Sequence, residues 1–170
     1  MQAVFKDWES LEKWRDSLLS REGRLQFINR VAKTTIEVRG IQFEICPEYD
    51  EDRQPIDLKW AAERHNYVRA KCLFQINQVK KLLKTDSTTR EAYILEMDYH
   101  PENVPCNLVH HFMIRDGKLE LFVYLRSSNS KDILPLDIYS AKKVQKEIAD
   151  FLGIPIGPIK FFVGSFHVYV

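Results

Sequence analysis

The sequence has few cysteines, little charge imbalance and no long apolar run. Cys46, Cys72 and Cys106 are the only three thiols in 170 residues, and none stands in a CxxC spacing. Three isolated cysteines support neither a disulfide framework nor a zinc site. Basic and acidic residues number 25 and 24, leaving a formal net charge of +1. That balance argues against a general polyanion binder, so no nucleic-acid partner is expected. No apolar run reaches the roughly 18–20 residues of a membrane-spanning helix. The opening stretch MQAVFKDWESLEKW is amphipathic and does not have the form of a signal peptide, so a cytoplasmic location is expected, with no membrane partner. Repeats and low-complexity segments are also absent. What is present is ordinary globular material, with 45% hydrophobic and 29% charged residues, enough for one domain over residues 1–170.

The pattern of apolar residues orders the chain. Phe5, Trp8, Leu11, Trp14 and Leu18 recur at helical spacing over 4–19, and SREGR (20–24) reads as the loop that ends that helix. Residues 34–45 are rich in β-branched side chains and read as a strand with a bulge or bend at Gly40. CPEYDEDRQP (46–55) reads as a polar loop, and residues 56–69 are ambiguous. Ile76, Val79 and Leu83 mark a helix over 74–84, and residues 92–97 a strand. Asp116-Gly117 between two β-rich runs signals a hairpin. Residues 140–153 read as a helix with Ser140 as N-cap and Gly153 as C-cap, and the last dozen residues as a strand. The sum is an α+β fold, one sheet covered by helices.

Four segments carry chemistry. They are Pro105-Cys106, Arg126-Ser127, LPLDI (134–138) and GSFHVY (164–169). From about Gln75 onward, these resemble the thymidylate synthase family, including its pyrimidine-nucleotide hydroxymethylase members. Pro105-Cys106 is similar to the family's nucleophile motif and Arg126-Ser127 to its phosphate-binding pair. LPLDI is similar to a Leu-Pro-Phe-Asn-Ile segment, and the ending to Gly-Asp-x-His-x-Tyr. The spacing from Cys106 to Arg126, Asp137 and His167 fits without a gap. The resemblance implies a single, mixed, mostly antiparallel sheet covered by helices. It also implies a homodimer, a pyrimidine nucleoside monophosphate as substrate, and 5,10-methylenetetrahydrofolate as cosubstrate.

The reaction explains these residue types. Carbon 5 of a pyrimidine is a poor nucleophile, and adding a thiolate to carbon 6 makes it enamine-like. The thiol must therefore ionise near neutral pH, which a neighbouring cation favours. Cys106 and Arg126 lie at the two ends of one expected hairpin, so the fold can bring them together. The resemblance gives Ser127 and Asn129 to the substrate and makes His167 and Tyr169, alternate residues on one strand, the holders of the sugar hydroxyl. It makes Arg21 a phosphate-loop arginine. Arg90 would reach the partner subunit's phosphate site, with Thr89 in place of a second arginine. Cys46, Cys72, His110 and His111 read as structural.

Several positions depart from the family pattern. Asp137 stands where thymidylate synthases carry asparagine, as in the cytidylate hydroxymethylases, and a carboxyl suits the N3 and N4 edge of cytosine. Its alternative reading is a helix cap. Asn107 follows the nucleophile where histidine is usual, Asn129 stands for an aspartate, and Ser165 for the aspartate before His167. The family's catalytic glutamate corresponds to Asp57 in DLKW, with Glu63 as the fallback. The chain ends at Val170, where the family continues into a tail that closes over the folate. The expected activity is 5-hydroxymethylation of CMP or dCMP. The alternatives are a non-catalytic nucleotide-binding homologue and a divergent dUMP-methylating thymidylate synthase.

Overall fold

The computed structural model describes residues 3–50, 53–96 and 106–170. Seven strands form one sheet: β1 (Ala3–Phe5), β2 (Arg24–Ile28), β3 (Lys33–Ile45), β4 (Tyr93–Leu95), β5 (Asn107–Arg115), β6 (Lys118–Asn129) and β7 (Ile156–Tyr169). The order is β1-β3-β7-β6-β5-β4, and β2 shares the outer edge of β3 with β1. The β1–β3 and β6–β7 pairs are parallel and the other four are antiparallel. Three helices, α1 (Trp8–Glu22), α2 (Leu58–Thr85) and α3 (Leu134–Leu152), accompany the sheet. The expected α+β architecture is therefore the one observed. None of the helices is long and apolar enough to cross a membrane, among the described residues.

Some local expectations needed correction. Phe5 belongs to β1, and α1 begins only after Asp7, whose carboxylate accepts the N–H of Ser10 at 2.8 Å. SREGR is not a loop: α1 runs to Glu22, so Arg21 lies in its last turn. The ambiguous 56–69 stretch opens the 28-residue α2. α3 starts at Leu134, not Ser140, because Pro135 supplies a preset φ and lacks only an N–H that the first turn leaves unpaired anyway. Gly153 does end α3, at φ 69°. Of the expected 92–97 strand, 93–95 form β4 and Met97 lies outside the described residues, as do residues 51–52 of the expected polar loop.

The core forms between the sheet and the helices. Phe43 and Phe161 stack at 5.0 Å in its centre, with Trp14 and Phe166 around them. α3 contributes Ile138, Ala141, Val144 and Ile148 at 3.6-residue spacing. Burial of a Val or Ile side chain in this row stabilises the fold by about 1.5–3 kcal/mol, and that of the Ala141 methyl by less. The other sheet face carries a stacked Tyr124–Phe162 pair and the tilted His111–Phe122 pair.

One irregularity positions the site. β6 buries Leu119, Leu121, Val123 and Leu125, and then Ser128. β7 buries Ile159, Phe161 and Val163, and then Phe166. β3 buries Ile45 and Phe43, and then Val38 and Thr35. An odd step flips the phase of the alternation while the same face stays buried, since Phe166 still meets Trp14 and Phe43. All three strands flip at one level, since Leu125 pairs with Val163 and Ser128 with Phe166, which pairs with Val38. Gly40 lies at this level on β3 with φ 65° and no register shift, so it is a bend and not a bulge. Gly164 lies there on β7, where a Cβ would come within 2.7 Å of the Arg126 carbonyl oxygen. Arg126 sits at the flip, exposed beyond the buried run of β6.

Candidate active site

The β5–β6 hairpin brings the thiol and the cation together. Asp116 and Gly117 adopt φ 51° and 70°, the left-handed pair of a tight two-residue turn. From there the strands pair back to Asn107 opposite Leu125, across one register shift between Asn107 and Val109. The Arg126 N–H then donates to the Cys106 carbonyl at 2.7 Å. Arg126 Nη2 lies 3.6 Å from Cys106 Sγ, and Ser127 Oγ lies 3.4 Å from it. A guanidinium and a hydroxyl thus meet at one sulfur. Pro105 lies outside the described residues. Cys46 and Cys72 lie elsewhere in the structure and form no disulfide among the described residues.

Polar rows continue across the sheet beyond the flip. Ser127 pairs with Ser165 and Ser165 with Arg39, and Asn129 pairs with His167 and His167 with Glu37. Adjacent strands are about 4.8 Å apart, so three strand spacings from the Cys106 end of β5 to Arg39 span roughly 14 Å. At the β3 end, Arg21, Arg24, Glu37 and Arg39 line a cleft of about 700 Å³. Arg21 is exposed and paired with Glu22 at 3.0 Å. His167 and Tyr169 share one side as expected, their rings 5.3 Å apart and edge-to-face. Burial holds the His167 imidazole below its usual pKa, against the opposing pull of Ser165 and Glu37. Asn129 closes the following turn: its Oδ1 accepts from the Lys131 and Asp132 N–H groups, and its Nδ2 donates to Asp132 at 2.8 Å.

Asp137 does not cap α3. It lies inside the first turn, 5% exposed, with Ser128 Oγ donating to Oδ2 at 3.4 Å and Arg64 Nη2 3.6 Å from Oδ1. Burial pushes its pKa up to about 7, despite Arg64 and Ser128. Asp57, by contrast, is exposed and caps α2, accepting from the Lys59 and Trp60 N–H groups at 2.9 and 3.1 Å. It precedes Arg64 by two helical turns, about 10 Å of rise. Glu63 is exposed beside Arg64. Arg90 lies apart from these residues. It lines a hollow of about 290 Å³ with Tyr93, Val109, His111 and Tyr124, and its carbonyl is 2.9 Å from His111 Nε2.

Sequence reasoning missed the cluster next to the thiol. Asn107 Nδ2 donates to Glu96 at 2.9 Å and lies 2.8 Å from His110 Nε2. Burial lowers the pKa of His110 to about 4, so it is neutral and Nε2 serves as an acceptor. Asn107 Oδ1 is buried with no partner among the described residues. Cys106 and Asn107 are chain neighbours, as are Ser127 and Ser128. The first of each pair meets at sulfur, and the second holds a carboxylate, Asn107 that of Glu96 and Ser128 that of Asp137. Asn107 was legible only as a departure at the nucleophile, and nothing in the sequence around Glu96 or Arg64 marks them.

The thymidylate synthase family profile matches residues 20–170. The chain belongs to the thymidylate synthase family. It is 32% identical over 99 residues to a Methanosarcina barkeri protein named "Putative thymidylate synthase", covering 56% of this chain and 46% of that protein. A Methanococcoides burtonii protein of the same name is 30% identical over 99 residues, with the same coverage of each chain. The deoxyuridylate hydroxymethyltransferase of Bacillus phage SP01 is 31% identical over 108 residues, 58% of this chain and 28% of that enzyme. The chain aligns with less than half the length of each of these relatives.

Proposed function

We propose that this chain is a pyrimidine-nucleotide 5-hydroxymethylase acting on CMP or dCMP. The observation that carries the reading is the Cys106 sulfur held within 3.6 Å of Arg126 and 3.4 Å of Ser127. In the proposed reaction the Cys106 thiolate adds to carbon 6, and the ring electrons shift so that carbon 5 becomes nucleophilic. The cosubstrate, 5,10-methylenetetrahydrofolate, supplies an electrophilic one-carbon unit. Trp60, exposed one helical turn before Arg64, offers an aromatic surface suited to a pteridine. Carbon 5 would bond to that one-carbon unit, a base would take the carbon-5 proton as tetrahydrofolate leaves, water would add to the resulting exocyclic methylene, and the sulfur would leave carbon 6 as thiolate, restoring the ring double bond. The resemblance gives the acid–base role to Asp57. Arg126 and Ser127, with Arg21, take the phosphate, His167 and Tyr169 the sugar hydroxyl, and Asn129 the substrate-side turn. Asp137 reads the base.

A uracil nucleotide is the second reading, favoured by the name of the phage relative. A carboxylic acid with its proton presents one donor and one acceptor and can be turned to match either base edge. A homodimer is part of the proposal. The sheet face bearing Tyr124, Phe162 and Arg90 is the surface a second copy would cover, bringing Arg90 toward the partner's phosphate. A monomer at micromolar concentration with full nucleotide affinity would contradict that part.

The test is incubation of the protein with each of CMP, dCMP, UMP and dUMP plus the folate, followed by mass spectrometry of the nucleotide. A hydroxymethylated cytosine nucleotide is expected. A methylated product would make the chain a thymidylate synthase, and binding without product a nucleotide-binding homologue.

A further inference from the structure

The side of α2 turned away from the core carries a pattern that the proposed reaction uses only at its Trp60 end. The helix buries Ala61, Cys72, Ile76, Val79 and Leu83. On its other side Trp60, Tyr67 and Phe74 are 46%, 63% and 74% exposed. They recur every seven residues and form one stripe, about 21 Å from end to end. Large exposed aromatics in a row mark a surface that something covers, and a seven-residue recurrence is the period of helix pairing. Glu63, Ala70 and Lys71 lie between the rings, all exposed. The alanine leaves a gap that a neighbouring ring can fill. Lys71 Nζ sits 4.8 Å from the centre of the Tyr67 ring. Glu63 has no partner among the described residues.

We propose that this stripe binds the same stripe of a second copy, with the two helices antiparallel and Tyr67 at the two-fold axis. Residues equally far before and after Tyr67 then lie opposite each other. Trp60 meets Phe74 and Glu63 meets Lys71, and symmetry makes each pair twice. The charges select both the occupant and its direction. Antiparallel pairing gives the acid a cation, whereas a parallel pair in register sets Glu63 against Glu63 and Lys71 against Lys71. A uniformly acidic partner helix would repel Glu63. Arg64, 3.6 Å from Asp137, opposes the small Ala70. Sliding one helix by a turn leaves a terminal ring without a partner and breaks the Glu63–Lys71 match. Phe74 of the second copy takes one face of the Trp60 indole, and the other face stays open to the cosubstrate. The stripe lies on the helix side of the sheet and Tyr124 and Phe162 on the other, so both pairings can form at once and join dimers into larger assemblies. The nucleotide reading is not needed for this pairing.

Sedimentation and a cysteine crosslink test the pairing. Glu63→Lys and Lys71→Glu should each weaken self-association about tenfold, because each sets two like-charge pairs in the seam. The double variant, Glu63→Lys with Lys71→Glu, should recover the wild-type association, since the reversed pair is again complementary. All three change surface residues, and a thermal melt checks the fold. Under mild oxidation Tyr67→Cys should crosslink to itself, above the background that Cys46, Cys72 and Cys106 give in wild type. Phe74→Cys should not, because its two copies lie about 21 Å apart along the paired helices. Charge reversals without effect, no recovery in the double variant, or crosslinking at 74 instead of 67 would overturn the proposal. So would a wild type that does not self-associate.

Discussion

Asp57 and Asp137 both stand at the start of a long helix. Asp57 lies in water, and its carboxylate accepts two backbone N–H groups of α2. Asp137 is buried, turns away from the α3 amides, and meets Ser128 and Arg64 instead. The first arrangement is what a helix N-terminus asks of an aspartate, worth about 1 kcal/mol. The second is unfavourable for stability, because a buried carboxyl without full compensation pushes its own pKa up. A group retained at a cost to stability is a better candidate for chemistry than one whose local role accounts for it.

The largest effect that tests this contrast is in base selection. If Asp137 reads the base, wild type should prefer cytosine over uracil nucleotides by roughly 30- to 1000-fold. Asp137→Asn should shrink or reverse that preference, measured by titration with CMP, dCMP, UMP and dUMP in one buffer. Equal affinity of the wild type for both bases would remove Asp137 from recognition. The same variant sharpens the stability side. The folded Asp137 pKa of about 7 lies above the ordinary 3.8, so the cost of ionisation is absent below about pH 4 and complete above about pH 7. Asp137→Asn should therefore gain on wild type by on the order of 2–4 kcal/mol between about pH 4 and about pH 8, read by urea unfolding. A constant difference across that range would contradict the burial argument.

Gly164→Ala tests the strand flip. Its new Cβ would meet the Arg126 carbonyl at 2.7 Å, so β7 must shift against β6. A loss of about 1–3 kcal/mol is expected, with weaker nucleotide binding because Arg126 moves. The smallest effect belongs to Asp57. Asp57→Ser keeps a cap and should change stability by no more than about 0.5 kcal/mol, while Asp57→Ala should cost about 1 kcal/mol. Turnover separates the roles: a large loss in Asp57→Ser would support the carboxylate as the acid, and unchanged turnover would leave it a cap.

The meeting of Cys106 and Arg126 was legible because Asp116-Gly117 fixes the hairpin, and the hairpin fixes which residues lie opposite. Strands β3 to β7 and the end of α3 at Gly153 were legible from periodicity and turn chemistry, whereas β1 was hidden in the apolar spacing of α1 and β2 was not anticipated. The flip shared by β3, β6 and β7 was not, because a change of phase looks in one sequence like a lapse in alternation. The start of α3 was missed because LPLDI has an apolar run that hides a proline-led first turn. Glu96 could not be found, since it enters the site through the pairing of β4 with β5 and its burial, neither of which a lone acid advertises.

The central claim is that Cys106 adds to carbon 6 of a pyrimidine nucleotide. Exchange of tritium from carbon 5 of CMP or dCMP needs that adduct and does not need the folate, so it isolates the claim. Wild-type protein should release tritium to water, and Cys106→Ala should fall to background while retaining most of its nucleotide affinity. Exchange by Cys106→Ala at the wild-type rate would contradict the account.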